Sequence, residues 1–189
     1  VSHAIAEVAR LANTVVLLRD GRVEAAGPVA EILGRADLAA VVGEDEAGAV
    51  FQACVAGHDE RHHLTSLRSA AGSIAIPRLD APLGASVRLR IRARDVIVAL
   101  RPPEGTSALN VLPGTVLEIR SAGPASTELR LDCGGTPVLA AITRRSCEAL
   151  GLTVGMSVYA IVKTVALDRQ SLGRGPLTHG NGRGDPADA

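Results

Sequence analysis

The chain has 189 residues, 20 Lys and Arg against 20 Asp and Glu, and 47% hydrophobic residues. That length holds one ordinary domain or two small ones, and the apolar share is enough for a buried core. Zero formal net charge and a near absence of aromatic rings (Phe51, Tyr159, no Trp) remove the basic surface and the stacking platforms that grip nucleic acid, so no nucleic-acid partner is expected. The core has to be built from Val, Leu, Ile and Ala. No run approaches the ~20 apolar residues that cross a bilayer, and no secretory signal is visible. Cys54, Cys133 and Cys147 are an odd number without close pairing, which reads as free thiols in a reducing compartment. Cys147, at a helix start, is either a thiol of lowered pKa or simply a small packed side chain. Val1 falls inside what reads as an ordered element, so a fragment of a longer protein is expected.

Val1-Ser2-His3 reads as the end of a strand. From Ala4 to Ala12, the apolar Ile5, Val8, Ala9 and Ala12 share one helical face. Thr14-Val15-Val16-Leu17-Leu18 fits a strand covered on both sides. Asp20-Gly21 is a two-residue hairpin turn, and Arg22 to Ala26 returns as its partner strand. Gly27-Pro28 opens a helix through Leu33, with Pro28 early, where its missing N–H is harmless. Residues 36–42 read as a short helix, and Gly43-Glu44-Asp45-Glu46 as a solvated acidic linker.

This order resembles the C-terminal end of an ABC transporter ATPase domain. The matching residues are Ser2-His3, Glu7-Val8 to Leu11-Ala12, Val15 to Leu18, Asp20-Gly21-Arg22-Val23 and Gly27-Pro28 with Glu31-Ile32-Leu33. The resemblance implies that His3 is the switch histidine that reaches the γ-phosphate of ATP, a task for a group that donates to phosphate near neutral pH. Taken alone, a histidine at a strand end is a surface or core residue. No Gly-x-x-x-x-Gly-Lys-Ser/Thr loop occurs to cradle phosphates. ATP with Mg is therefore expected mostly outside this stretch, and the chain alone is expected not to hydrolyse ATP.

Strand character continues at residues 49–56, 64–69, 73–76, 87–91 and 96–100, with turn residues between, as in an incomplete β-barrel that packs with the module after it. His58, His62 and His63 with Asp59 and Glu60 invite a metal reading, but they fall in a loop without a second ligand cluster, and a solvated hairpin tip is the plainer expectation. Val87-Arg88-Leu89-Arg90-Ile91-Arg92 alternates, giving a strand with one apolar and one basic face. The basic face is expected to be solvated, with cross-strand acidic partners; binding an anion or a partner is the alternative.

Apolar alternation recurs in Thr115-Val116-Leu117-Glu118-Ile119, Thr127-Glu128-Leu129-Arg130-Leu131 and Val158 to Val162. A short helix is read at Cys147 to Leu150, stopped by Gly151, which Ser146 could cap. These elements make a small barrel-like module with hydroxyls and one lysine at loop and strand ends, where they could converge on a small anion. Taken singly, Ser107 could merely end a loop, and Lys163 could be an ordinary surface lysine. From Arg169 onward Gly, Pro, Asn, Asp and Arg dominate, and a disordered tail is expected.

Ser107-Ala108-Leu109-Asn110, Ile142-Thr143-Arg144-Arg145-Ser146 followed by Leu150-Gly151-Leu152, and Val162-Lys163-Thr164 resemble the molybdate-binding barrel module of molybdate-binding proteins and molybdate-importing ABC transporters. The family usually has arginine where this chain has Leu109. The stretch from Leu89 to Arg92, with Asp95-Val96, Arg101-Pro102-Pro103 and Thr106-Ser107, resembles the segment leading into that module. The resemblance implies oxyanion binding by Ser107, Thr143, Ser146, Lys163 and Thr164, with molybdate or tungstate as ligand, at a place where two modules meet.

The expected fold is an α+β fragment: the C-terminal α/β tail of an ABC ATPase domain with its linker (1–46), then an all-β OB-like barrel regulatory domain in two parts (47–105 and 106–168), then a tail (169–189). By resemblance it is the C-terminal part of the ATP-binding subunit of a molybdate importer, paired as a homodimer, docked on membrane permease subunits at the cytoplasmic face of the bacterial membrane. A stand-alone molybdate buffer or sensor, and the ATPase subunit of a sulfate or sugar importer, are the alternatives.

Overall fold

A computed structural model describes residues 4–33, 47–164 and 172–174. His3, the strand end at 1–3, the helix expected at 36–42 and the acidic linker lie outside the described residues.

The first unit is α1 (Ile5–Leu11), β1 (Thr14–Arg19), β2 (Arg22–Pro28) and α2 (Val29–Leu33). β1 and β2 form the antiparallel hairpin that Asp20-Gly21 dictates, with φ of 50° and 75° at those two residues. Pro28 closes β2 and α2 begins at Val29. Ala9, Ala25, Val29, Ile32 and Leu33 make a small core with Val15 and Leu17 packed against it. The expectation that β1 is covered on both sides is corrected: Val16 and Leu18 are each 57% exposed, because α1 and α2 occupy one face of the hairpin.

The remaining strands build two five-stranded antiparallel sheets. β3 (Gly48–Asp59), β4 (Leu64–Ser69), β5 (Gly72–Pro77) and β6 (Ser86–Arg92) lead through a single 3-10 turn (Ala93–Asp95) into β7 (Val96–Ala99). β8 (Asn110–Ser121), β9 (Ser126–Cys133) and β10 (Thr136–Thr143) are followed by α3 (Arg144–Ala149), β11 (Ser157–Val162) and β12 (Leu172–Arg174). The two halves repeat one design. The order is β5-β4-β3-β6 in one and β10-β9-β8-β11 in the other. A β-bulge falls at Val55/Gly57 in β3 and at Val116/Glu118 in β8. The N–H of Gly84 bonds the carbonyl of Val55, and that of Gly155 bonds the carbonyl of Val116, each at 2.8 Å. Gly84 and Gly155 both need positive φ (80° and 87°) for that turn.

The halves also exchange their last strands. β7 leaves the first half to pair with β11, and β12 leaves the second to pair with β6. The second sheet therefore begins before residue 106, and Leu172–Arg174 are a strand, which corrects the expected disordered tail for those three residues; the rest of the tail lies outside the described residues. One hydrophobic core runs through both sheets, from Leu67, Ile74 and Leu89 to Leu112, Leu129 and Leu131. Fused barrels with one core and traded edge strands melt as one unit if burial dominates stability.

The basic face of β6 is a second correction. Arg88 and Arg90 are 2% and 5% exposed, and every residue of β6 from Val87 to Ile91 is buried. The first unit covers that face, and Arg92, at its end, pairs with Asp95 three residues on in the chain at 2.7 Å.

Candidate oxyanion site

Antiparallel pairing of Asn110 with Val162 lays the loop that carries Ser107 beside Lys163 and Thr164. The Thr106 hydroxyl accepts the Ala108 N–H at 3.3 Å and folds this loop, leaving Ser107 and Leu109 exposed and Ala108 buried. Asn110 is buried and fully engaged: its Oδ1 accepts from Ala75 N at 2.7 Å and its Nδ2 donates to Ala75 O at 3.0 Å. The side chain acts as one more strand neighbour for β5 and ties the two barrels together. Thr164 is 8% exposed, and its Oγ1 has no hydrogen-bond partner among the described residues. A buried hydroxyl without a partner costs about 1–3 kcal/mol, so a donor or acceptor supplied from outside would relieve it. Lys163, next in the chain, is exposed and carries the positive charge.

Thr143 and Ser146 form a second group. Thr143 caps α3, accepting the Ser146 N–H at 3.0 Å, and the two hydroxyls are 2.7 Å apart. The helix thus starts at Arg144, three residues earlier than expected, and Thr143 rather than Ser146 is its cap. Arg144 pairs with Glu148 across one exposed turn at 3.0 Å, a contact worth little. Arg145 is exposed beside the two hydroxyls.

The two groups do not meet within one chain. Thr143 pairs with Ser126, beside the Ser121 end of β8, whereas Asn110 starts that 12-residue strand. A fully extended strand of that length spans about 35 Å at most, and the bulge at Val116/Glu118 bends this one. Ser107, Lys163 and Thr164 therefore form one group and Thr143 and Ser146 another, near opposite ends of β8. A shallow groove of about 380 Å³ on β8 and β11, lined by Gly114, Asp132, Ser157 and Tyr159 among others, contains none of them.

The histidine cluster is a structural tip. His58 lies in β3, with Nδ1 3.0 Å from Thr65 Oγ1 and Nε2 2.9 Å from Ala81 O. His62 pairs with Asp59 at 2.8 Å, and its hydrogen bonds hold the Asp59 carboxyl below its ordinary pKa. Among the described residues no group of three or more His, Cys, Asp or Glu could hold a metal. Cys54 is exposed, whereas Cys133 is buried and its thiol is pushed up to about 11 by desolvation, with a smaller push from Asp132.

The chain is thus a pair of fused five-stranded β-units, with hydroxyls and a lysine at strand ends of the second, joined to a small α/β unit. Residues 106–168 match the TOBE domain. Over 175 residues, 93% of the chain, it is 49% identical to the molybdenum import ATP-binding protein ModC of Mesorhizobium japonicum (strain LMG 29417 / CECT 9101 / MAFF 303099). It is 52% identical over 169 residues, 89% of the chain, to that of Aromatoleum aromaticum (strain DSM 19018 / LMG 30748 / EbN1). These alignments cover 47% and 45% of the two proteins, so the chain spans about half the length of the curated relatives it matches. Among solved structures, the cytoplasmic molybdate-binding protein ModG in a molybdate-bound crystal form superimposes with a TM-score of 0.59 at 25% identity, over 67% of this chain and 95% of that one. Over nearly its whole length, then, the chain is similar to the C-terminal portion of the ATP-binding subunits of molybdate importers.

Two features escaped the sequence reading. The repeat is visible in Gly84-Ala85-Ser86-Val87 and Gly155-Met156-Ser157-Val158, a four-residue echo that marks the same turn and strand start in each half. The burial of Arg88 and Arg90 had no such signal.

Proposed function

We propose that the chain is the C-terminal, regulatory end of the ATP-binding subunit of a molybdate importer, and that its second barrel binds molybdate or tungstate at a site completed by a second copy of the chain. The observation that carries this is the buried, unpartnered hydroxyl of Thr164 beside Lys163, with the Thr143–Ser146 hydroxyl pair near the other end of β8. A tetrahedral dianion needs several directional donors and positive charge. Ser107, Lys163 and Thr164 of one copy and Thr143 and Ser146 of the other supply both, and charge-assisted bonds of this kind are the strong ones. An anion held between two copies fixes their spacing, so it restrains the approach of the attached ATPase domains.

ATP with Mg supplies the free energy for transport. The described residues do not form a nucleotide site, and no step on ATP is derived from them; His3 is the residue of this stretch assigned to the γ-phosphate. The whole protein is a homodimer on permease subunits at the cytoplasmic face of the membrane. Among the described residues no helix is long and apolar enough to cross a membrane.

Titration of the chain with molybdate, tungstate and sulfate tests the binding claim. Saturable heat for molybdate and tungstate, reduced more than about tenfold by Lys163→Ala, is expected. No saturable heat for any of the three at millimolar concentration contradicts it, and a preference for sulfate points to a different importer. In the full-length protein, added molybdate is expected to lower ATPase activity. The likeness to ModG favours a second reading, a molybdate-binding module without transport chemistry. That likeness covers 67% of the chain against 93% for the ModC relative from Mesorhizobium japonicum, and the difference favours the first.

A further inference from the structure

Arg88 sits in the middle of β6 with its side chain almost wholly enclosed. Its Nη1 donates to the carbonyls of Ala12 at 2.6 Å, Ala9 at 3.3 Å and Arg10 at 3.4 Å, and its Nη2 donates to Asn13 Oδ1 at 2.7 Å. These acceptors are the last carbonyls of α1 and the residues just past it, the groups a helix leaves without internal partners, at the negative end of its dipole. One guanidinium of the barrel thus terminates a helix of the ATPase tail. Two further contacts converge on the same place. Val50 of β3, paired opposite Arg90, is buried in the small core of the first unit, and Gly173 of β12 pairs directly with Arg88.

Its acceptors are three main-chain carbonyls and one amide oxygen, dipoles rather than a carboxylate, and Nε has no partner among the described residues. Without the guanidinium these helix-end carbonyls lose their donor. What the guanidinium fork adds is direction: several bonds in one plane fix how α1 lies on β6. The repeat supplies an internal comparison. Tyr159 of β11 holds the position equivalent to Arg88, and its surface is the open groove on β8 and β11.

We propose that Arg88 is a coupling residue, a latch that locks the carbonyl end of α1 to the β6–β12 strand pair, so that the orientation of the helix beginning just after His3 follows the barrels. β12 begins eight residues after Thr164 in the chain. The latch stands on the contacts alone; its use in regulation rests on the proposed function.

Hydrogen exchange on the 189-residue chain tests it. Arg88→Met keeps the bulk and removes the fork. The α1 amides are expected to exchange about tenfold faster, the loss expected when a charged hydrogen bond is removed, while the amides of β8 and β9 keep their rates. Asn13→Ala, which leaves the barrel interior intact, is expected to move α1 in the same direction by a smaller factor, and it carries the test if the methionine variant does not fold. Unchanged α1 exchange in the variants overturns the latch. With molybdate added, α1 is expected to gain protection in the wild type and none in Arg88→Met, at equal molybdate affinity. A variant that loses the affinity itself makes Arg88 a part of the binding site and overturns its role as coupler. The exchange comparison without anion decides the latch whatever the titration gives, so the two readings fail separately.

Discussion

The two barrels are copies of one design put to different uses. Strand order, bulge position and the glycine turn before β6 and β11 coincide. The second copy alone carries a helix, α3, between its third and fourth strands, and the other differences lie in what the copies present. Where the second barrel has Lys163 and Thr164, the first has Arg92 and Ala93. Arg92 is tied to Asp95, and Ala93 packs against Leu139 with no hydroxyl to offer. Where the second has Tyr159 beside an open groove, the first has Arg88 holding α1. A duplicated scaffold allows this because its shared core specifies the fold while the strand ends and outer faces are free to specialise. One copy became a docking surface and the other kept the polar rim.

The largest expected effect tests the shared core. Leu67→Ala in the first barrel and Leu131→Ala in the second should each cost about 2–5 kcal/mol, and each should shift one calorimetric transition. Two separate transitions would mean that the barrels are independent modules. Next, Thr164→Val should weaken molybdate binding by about tenfold or more, as loss of a charge-assisted hydrogen bond does. Ala93→Thr should create no second site, because Arg92 stays with Asp95. Isothermal titration reads both, and a new site in Ala93→Thr would show that the first barrel kept the binding chemistry of the second.

Two further effects come from titrating groups. The Cys133 thiol, pushed up to about 11 in the fold, stays protonated where the unfolded thiol ionises. Its contribution is complete below about pH 9 and is lost as pH rises from about 9 to about 11, about 3 kcal/mol in all. Denaturant melts of Cys133→Ala should lack this alkaline loss. The exposed Asp59 carboxyl, held low by His62, contributes above its unfolded pKa, and that contribution fades as pH falls below about 4. Asp59→Asn should alter only that acid limb, slightly.

Much of the fold was readable because period-two alternation survives wherever one face is buried. β8 and β9 announced themselves in this way through alternating residue types. β10 did not: Val138 to Ile142 are apolar without a break, so the run lacks the alternation and showed only as a motif before α3. The Arg88 and Arg90 stripe misled for the opposite reason, since alternation tells which residues share a face but not what covers it. The candidate site residues were chosen by residue type. Their division into two groups was not legible, because the distance between Thr143 and Lys163 depends on strand register, which only the pairing of β8 with its neighbours reveals.

A crystal of the chain grown with tungstate, read by the anomalous signal of tungsten, tests the central claim most directly. The account predicts one strong peak per chain, between Ser107, Lys163 and Thr164 of one copy and Thr143 and Ser146 of its neighbour. A peak elsewhere, or none, with those side chains turned away from one another, would contradict it.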